Sequence, residues 1–128
     1  MRLTVFHNED PHPLWEHSLN KLITPLTYKD LKKQGDVHTA VFNDGVVGIS
    51  VSKENQIIYL KVRDITRRRG VGKYLIEETL KAILEDYDKV EINTDCFPVN
   101  EIDGLIYFLT MQGFQKDEKQ PNIYYFEE

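Results

Sequence analysis

Ile57-Ile58-Tyr59-Leu60-Lys61-Val62-Arg63 leads through Asp64-Ile65-Thr66 into Arg67-Arg68-Arg69-Gly70-Val71-Gly72-Lys73, and a further run continues to Tyr87. The first seven residues are rich in β-branched and aromatic side chains, the composition of a strand. After the glycines the apolar residues fall at Val71, Leu75, Ile76, Leu80, Ile83, Leu84 and Tyr87, with Thr79 among them, the i, i+3/i+4 stripe of an amphipathic helix. Lys73, Glu77, Glu78, Lys81 and Glu85 lie off the stripe, and Glu77 and Lys81 form an i, i+4 pair in the favourable order. A strand therefore enters a helix through a turn carrying two glycines and four cations.

Such a turn suits a polyanion. The first N–H groups of a helix have no acceptor within it, and the helix dipole favours negative charge there. Gly70 and Gly72 carry no Cβ, so a phosphate can approach the backbone. The P-loop needs Gly six residues before its Lys and Ser or Thr after it; Arg67 and Tyr74 stand there. The dinucleotide fingerprint needs a third Gly where this chain has Leu75. Both patterns fail.

The 128 residues predict one domain, 1–128, with a single core, and 41% hydrophobic and 29% charged residues are ordinary for a soluble globular protein. A formal charge of −5 argues against nonspecific nucleic-acid or membrane binding. Six of the 16 cations fall within residues 61–73, so an acidic chain has one local basic loop, the pattern of a small-anion binder. One cysteine, Cys96, allows no internal disulfide and no Cys-based zinc site; its expected role is a small buried apolar residue. The four histidines have no metal spacing. No apolar stretch reaches ~18 residues and the N-terminus lacks a signal block, so the expected location is cytoplasmic.

Either side of the central stretch, residues 2–7 read as a strand and Leu14 to Ile23 as a helix ended by Pro25. Thr27-Tyr28-Lys29-Asp30 has the capping-box form and opens a short helix that Gly35 is expected to close. Val37–Asn43 and Val46–Ser52 are strands joined through Asn43-Asp44-Gly45, a hairpin signal. Lys89–Thr94 alternates as a strand, Ile102 to Met111 reads as a helix ending at Gly113, and Ile123–Phe126 is a last strand. The order is β-α-α-β-β-β-α-β-α-β: an α/β (α+β) chain with a mixed sheet flanked by helices.

The run Val62 to Ile76 resembles the acetyl-CoA-binding segment of the GNAT superfamily of N-acetyltransferases. That signature is Arg or Gln, two residues, Gly, one residue, Gly or Ala, here Arg67, Gly70 and Gly72, after a strand ending at Val62. Asp64 replaces a frequent Pro. The resemblance is clearest over residues 46–114 and implies a GNAT-like fold, acetyl-CoA as cosubstrate, and transfer of acetyl to a primary amine of an unidentified small molecule or peptide. It implies cofactor contacts from Leu60, Val62, Arg67, Arg68, Arg69, Gly70, Val71, Gly72 and Lys73, with the Val62 N–H polarising the thioester carbonyl. The strands at 57–63 and 89–94 are expected to splay and admit the pantetheine arm. No metal is implied, and homodimerisation stays open.

The family places a Tyr four residues before a Gly-Phe pair to protonate the leaving thiolate. The pair here is Gly113-Phe114, and the position holds Leu109. The nearest phenol, Tyr107, is about 200° around the helix and is the candidate catalytic acid. No base stands out; Tyr59, Glu91, Asn93 and Asp95 fall near the expected cleft. Trp15 and Tyr28 are candidates to line an acceptor pocket, with core packing favoured for Trp15. Leu109 keeps a second reading alive, a non-catalytic regulatory module that binds CoA or acetyl-CoA.

Overall fold

The computed structural model describes residues 3–63 and 70–128. Seven strands form one sheet: β1 (Leu3–His7), β2 (Asp36–Phe42), β3 (Gly45–Lys53), β4 (Gln56–Val62), β5 (Lys89–Asn93), β6 (Gln115–Lys116) and β7 (Ile123–Glu127). Among the described residues four α-helices flank it: α1 (Glu16–Ile23), α2 (Tyr28–Gln34), α3 (Val71–Leu84) and α4 (Ile102–Met111). The sheet order is β1-β2-β3-β4-β5-β7-β6, antiparallel throughout except for the β4–β5 pair. This is the mixed sheet read from the sequence, with β6 added as a two-residue edge too short to show a period.

Local chemistry sets several boundaries. Thr27 Oγ1 accepts from the Asp30 N–H at 3.2 Å and Asp30 Oδ2 accepts from the Thr27 N–H at 2.9 Å, so the capping box forms. The β2–β3 hairpin turns on Asn43 and Asp44, both with positive φ (50° and 60°), and Gly45 is already strand. Gly35 does not close α2 through a left-handed cap; its backbone is extended (φ 168°). Its need for glycine is steric, because a Cβ would collide with the Ser52 carbonyl of β3. Tyr87 lies past the end of α3 and is 41% exposed, so the apolar stripe stops at Leu84.

The sheet buries two faces. Trp15, just before α1, Leu19 and Ile23 of α1 and Leu31 of α2 pack on Val37, Val46, Ile49 and Val51, with Ile58 and Tyr59 of β4 at the margin. On the opposite face Val71 and Leu75 of α3 meet Ala40 and Val47, and Ile76, Leu80 and Ile83 meet Ile57, Val90 and Ile92, with Leu109 of α4. A bulge at Ile58 interrupts the period of β4, and beyond it the side chains alternate: Tyr59 faces α1, while Leu60 and Val62 face α3.

A polar chain runs inward from the β1 edge, from exposed His7 to buried His38 and Ser52. His7 Nδ1 and His38 Nδ1 lie 2.7 Å apart, and His38 Nε2 is 2.8 Å from Ser52 Oγ. Burial, and then the neighbouring His7, hold the His38 imidazole down at about pH 4, with Asp36 opposing. Between pH 6.5 and about 4 the unfolded chain therefore binds a proton at this position that the folded protein refuses. Stability is complete above that window and falls as the pH drops through it, by on the order of 3 kcal/mol. Urea midpoints at pH 7 and pH 4.5 are expected to differ less in His38→Gln than in the native protein.

Candidate functional site

β4 and β5 pair in parallel only at Gln56 and Glu91, beside a Glu91 N–H to Asn55 carbonyl bond of 2.8 Å. Beyond that point the strands part, as the resemblance implied. The backbone of β4 explains what the gap offers. Arg63 N–H donates to the Val47 carbonyl at 2.9 Å, and the register pairs Gly48 with Val62 and Ser50 with Leu60. In an antiparallel ladder the paired residues alternate between bonded and non-bonded rungs. Leu60 and Val62 occupy the non-bonded rungs, so their N–H and C=O groups point away from β3, towards the gap.

The gap opens into a cleft of about 970 Å³, at the upper end of the ~300–1,000 Å³ typical of ligand sites. Leu60, Val62, Gly72, Gly104, Leu105 and Phe108 line it on the α3/α4 face, and His17, Ser18, Lys21, Leu22, Lys61 and Arg63 on the α1 face. Phe97, Asn100 and Glu101 close one side. The start of α3 forms one wall. Gly70 caps it with φ +77°, a left-handed conformation that favours glycine, and the first helical bond runs from Tyr74 N–H to the Gly70 carbonyl at 3.0 Å. The N–H groups of Val71, Gly72 and Lys73 precede that bond and have no intrahelical acceptor. A Cβ on Gly72 would lie 3.3 Å from Phe108 Cε1 and 3.7 Å from Val62 Cγ2. Gly72 thus lets α4 close on α3 as well as baring its backbone, a packing role the spacing alone did not reveal. Lys73 is exposed beside it, and Arg67, Arg68 and Arg69 lie outside the described residues.

The structure does not bring Tyr107 to the cleft: it is 71% exposed, off the Glu101, Gly104, Leu105, Phe108 stripe that faces inward. Leu109 is fully buried among Ile76, Leu80, Ile92 and Phe114. The ring that α4 does present to the cleft is Phe108, which has no hydroxyl. Among the candidate bases, Glu91 pairs with Lys89 at 3.5 Å, Asn93 accepts from the Asp95 N–H at 2.9 Å, and Asp95 accepts from Asn122 at 2.9 Å. Tyr59 is half-buried on the α1 side; burial, then the Glu101 carboxylate, pushes its phenol above the ordinary range. Trp15 is core, stacked 5.6 Å from Phe6, and Tyr28 donates to the Glu9 carbonyl at 2.8 Å. Cys96 is exposed, against its expected burial, because β5 ends in a tight 3-10 turn over Thr94–Cys96. The α1 residues that line the cleft, His17, Ser18, Lys21 and Leu22, were not singled out in the sequence; a polar helix face carries no signal of what it overlooks.

A mixed sheet splayed between a parallel β4–β5 pair, with a glycine-capped helix at the mouth, is the GNAT fold. The chain belongs to the PanZ family of acetyltransferase (GNAT) domains, whose model matches residues 12–122. It is 33% identical over 94 residues to the PanD regulatory factor of Salmonella typhimurium, covering 63% of this chain and 68% of that one. It is 43% identical over 49 residues to the PanD regulatory factor of Escherichia coli, covering 35% and 39%. The solution structure of Escherichia coli YhhK bound to coenzyme A superposes over 100% of both chains with a TM-score of 0.74 at 21% identity. A GNAT family acetyltransferase from Elizabethkingia anophelis with acetyl-CoA bound superposes over 98% of both chains, with a TM-score of 0.68 and 19% identity.

Proposed function

We propose that this protein is a CoA-dependent regulatory factor. It binds acetyl-CoA or CoA in the β4–β5 cleft and acts on a protein partner. The observation that carries the reading is the inward face of α4, where Phe108 stands in the cleft and Leu109 is locked in the core. A proton donor at that place contributes ~10²–10⁴-fold to general acid–base steps, and neither Phe108 nor Leu109 can supply one. The names of the relatives support the same reading, since both are regulatory factors of PanD. In this proposal the N–H groups from Val71 to Lys73 take the diphosphate, with Arg67, Arg68 and Arg69 adding charge. Leu60 and Val62 bond the pantetheine arm. The test is calorimetry with CoA and acetyl-CoA, followed by sedimentation of the protein with PanD from the same organism. Association that requires acetyl-CoA is the expected result; indifference to the cofactor would sink the reading.

A second reading, transfer of acetyl to a primary amine, is favoured by one observation. The Val62 N–H points into the gap, where it could polarise a thioester carbonyl. An amine panel scored by CoA release decides between them. Tyr107→Phe separates the phenol from the ring, and with Tyr107 in solvent it is expected to leave cofactor affinity and any turnover unchanged. Its stability should change by no more than about 0.5 kcal/mol. A large fall in turnover would return Tyr107 to the chemistry.

A further inference from the structure

β1 lies at the edge of the sheet with β2 beside it, and none of its five residues is buried. Polar groups fasten its C-terminal end to β2. The Asn8 N–H donates to the Val37 carbonyl at 2.7 Å, and Asn8 Oδ1 accepts from the Val37 N–H at 2.8 Å. Next to them His7 and His38 face each other in the ladder. The 2.7 Å between their Nδ1 atoms has room for one proton, donated by one ring and accepted by the other. Ser52 Oγ meets the far nitrogen of His38 at 2.8 Å as donor or as acceptor, so the neutral pair is satisfied in either tautomer. A first extra proton can go to exposed His7, whose Nδ1–H then donates to His38. A second has no place. Two N–H groups would face each other across the same gap, on two rings of like charge.

We infer that the His7–His38 pair is a proton-sensitive latch, and that its second proton releases β1 from β2 while the rest of the domain stays folded. The packed elements offer little to hold a doubly charged pair. On the β1 side, Glu9 and Asp10 follow as exposed residues beyond Asn8. On β2, Asp36 draws charge onto His38, against the larger effects of burial and of His7. Its carboxylate also accepts from Asn8 Nδ2 at 3.1 Å. β3 has no charged residue from Gly45 to Ser52, and Lys53 after it is exposed. α3 packs on this face through Thr79, bonded to Ser50 at 2.7 Å. Its half-buried titratable groups are Tyr74 and Glu78, and Glu78 is paired with Lys81 at 3.0 Å. What β1 gives up on leaving is modest, since Leu3, Val5 and Phe6 are only partly buried. Elements with few buried contacts open at a fraction of the global free energy.

Hydrogen exchange followed amide by amide by NMR tests the latch, with rates converted to protection factors. With the His38 pKa at about 4 when latched and 6.5 when released, linkage raises the opening constant about 30-fold between pH 8 and pH 5. The amides bonded between β1 and β2 are expected to lose about 30-fold in protection and to ignore low urea. Those of β5 and β7 should stay the better protected at both pH values. His38→Gln keeps a polar side chain beside Ser52 and cannot titrate, so its loss should be under about twofold. His7→Gln changes an exposed position, is expected to fold, and should lose less than the native protein. Equal protection of native β1 at the two pH values overturns the latch. So does a β1 loss that β5 and β7 match with the urea dependence of global unfolding. Should His38→Gln fail to fold, His7→Gln decides, because a loss equal to the native one would show that the pair is not what senses the proton.

Discussion

Gly72→Asp is expected to weaken acetyl-CoA and CoA binding by about 100-fold or more. Two effects add. The new carboxylate would project from the second residue of α3, beside the N–H groups proposed to take the diphosphate, and meet it with like charge. The added Cβ also has little room, 3.3 Å from Phe108 Cε1 and 3.7 Å from Val62 Cγ2. Loss of fold is not the expected cause. An acid in the first turn of a helix is favourable by ~0.3–1 kcal/mol, which offsets part of the crowding, and Phe108 is half-buried and can shift by a few tenths of an ångström. Gly72→Ala isolates the steric part, and its affinity should fall much less. Calorimetry on both variants, with circular dichroism as the folding check, makes the comparison. Near-native affinity in a folded Gly72→Asp protein would move the phosphates elsewhere.

The frame of this site was legible because its signals are local. A helix stripe, two glycines at a helix start and a capping box each act within a few residues, and all three formed. The parting of β4 and β5 came from family resemblance, and the register now gives it a physical form, one parallel rung at Gln56 and then none. What stayed hidden depends on distant parts of the chain. Gly35 looks like a helix stop in sequence, yet its constraint is the carbonyl of Ser52 in β3. Gly72 looks like a phosphate glycine, yet Phe108, far along the chain, also needs the space. Lys21 and Lys61 line one cleft from a helix and a strand far apart in the chain, and nothing in either stretch announces the other. Cys96 was expected to be buried by its residue type alone, and a tight turn after β5 overrode that.

The same distant packing decides where a phenol could be restored on α4, with a large contrast between two adjacent positions. Counting back from Gly113-Phe114 points to residue 109, so Leu109→Tyr is the substitution the family pattern suggests. Leu109 has no exposed surface and is surrounded by Ile76, Leu80, Ile92 and Phe114. A Tyr there overfills the core, at ~1–3 kcal/mol, and buries a hydroxyl with no acceptor provided, at ~1–3 kcal/mol more. The melting temperature should fall by roughly 10 °C or more, with no gain in CoA release. Phe108→Tyr adds the same hydroxyl to a ring already lining the cleft, where water or cofactor can bond it. Its melting temperature should stay within about 2–3 °C of native. If any amine is acetylated, Phe108→Tyr is the variant expected to release CoA faster, because its hydroxyl lies on the inward stripe of α4 with Gly104 and Leu105. Thermal melts of the two variants, run with and without saturating acetyl-CoA, test the contrast directly. A stable, cofactor-responsive Leu109→Tyr protein would mean that α4 can rotate, and that the burial of Leu109 is not what keeps a phenol from the cleft.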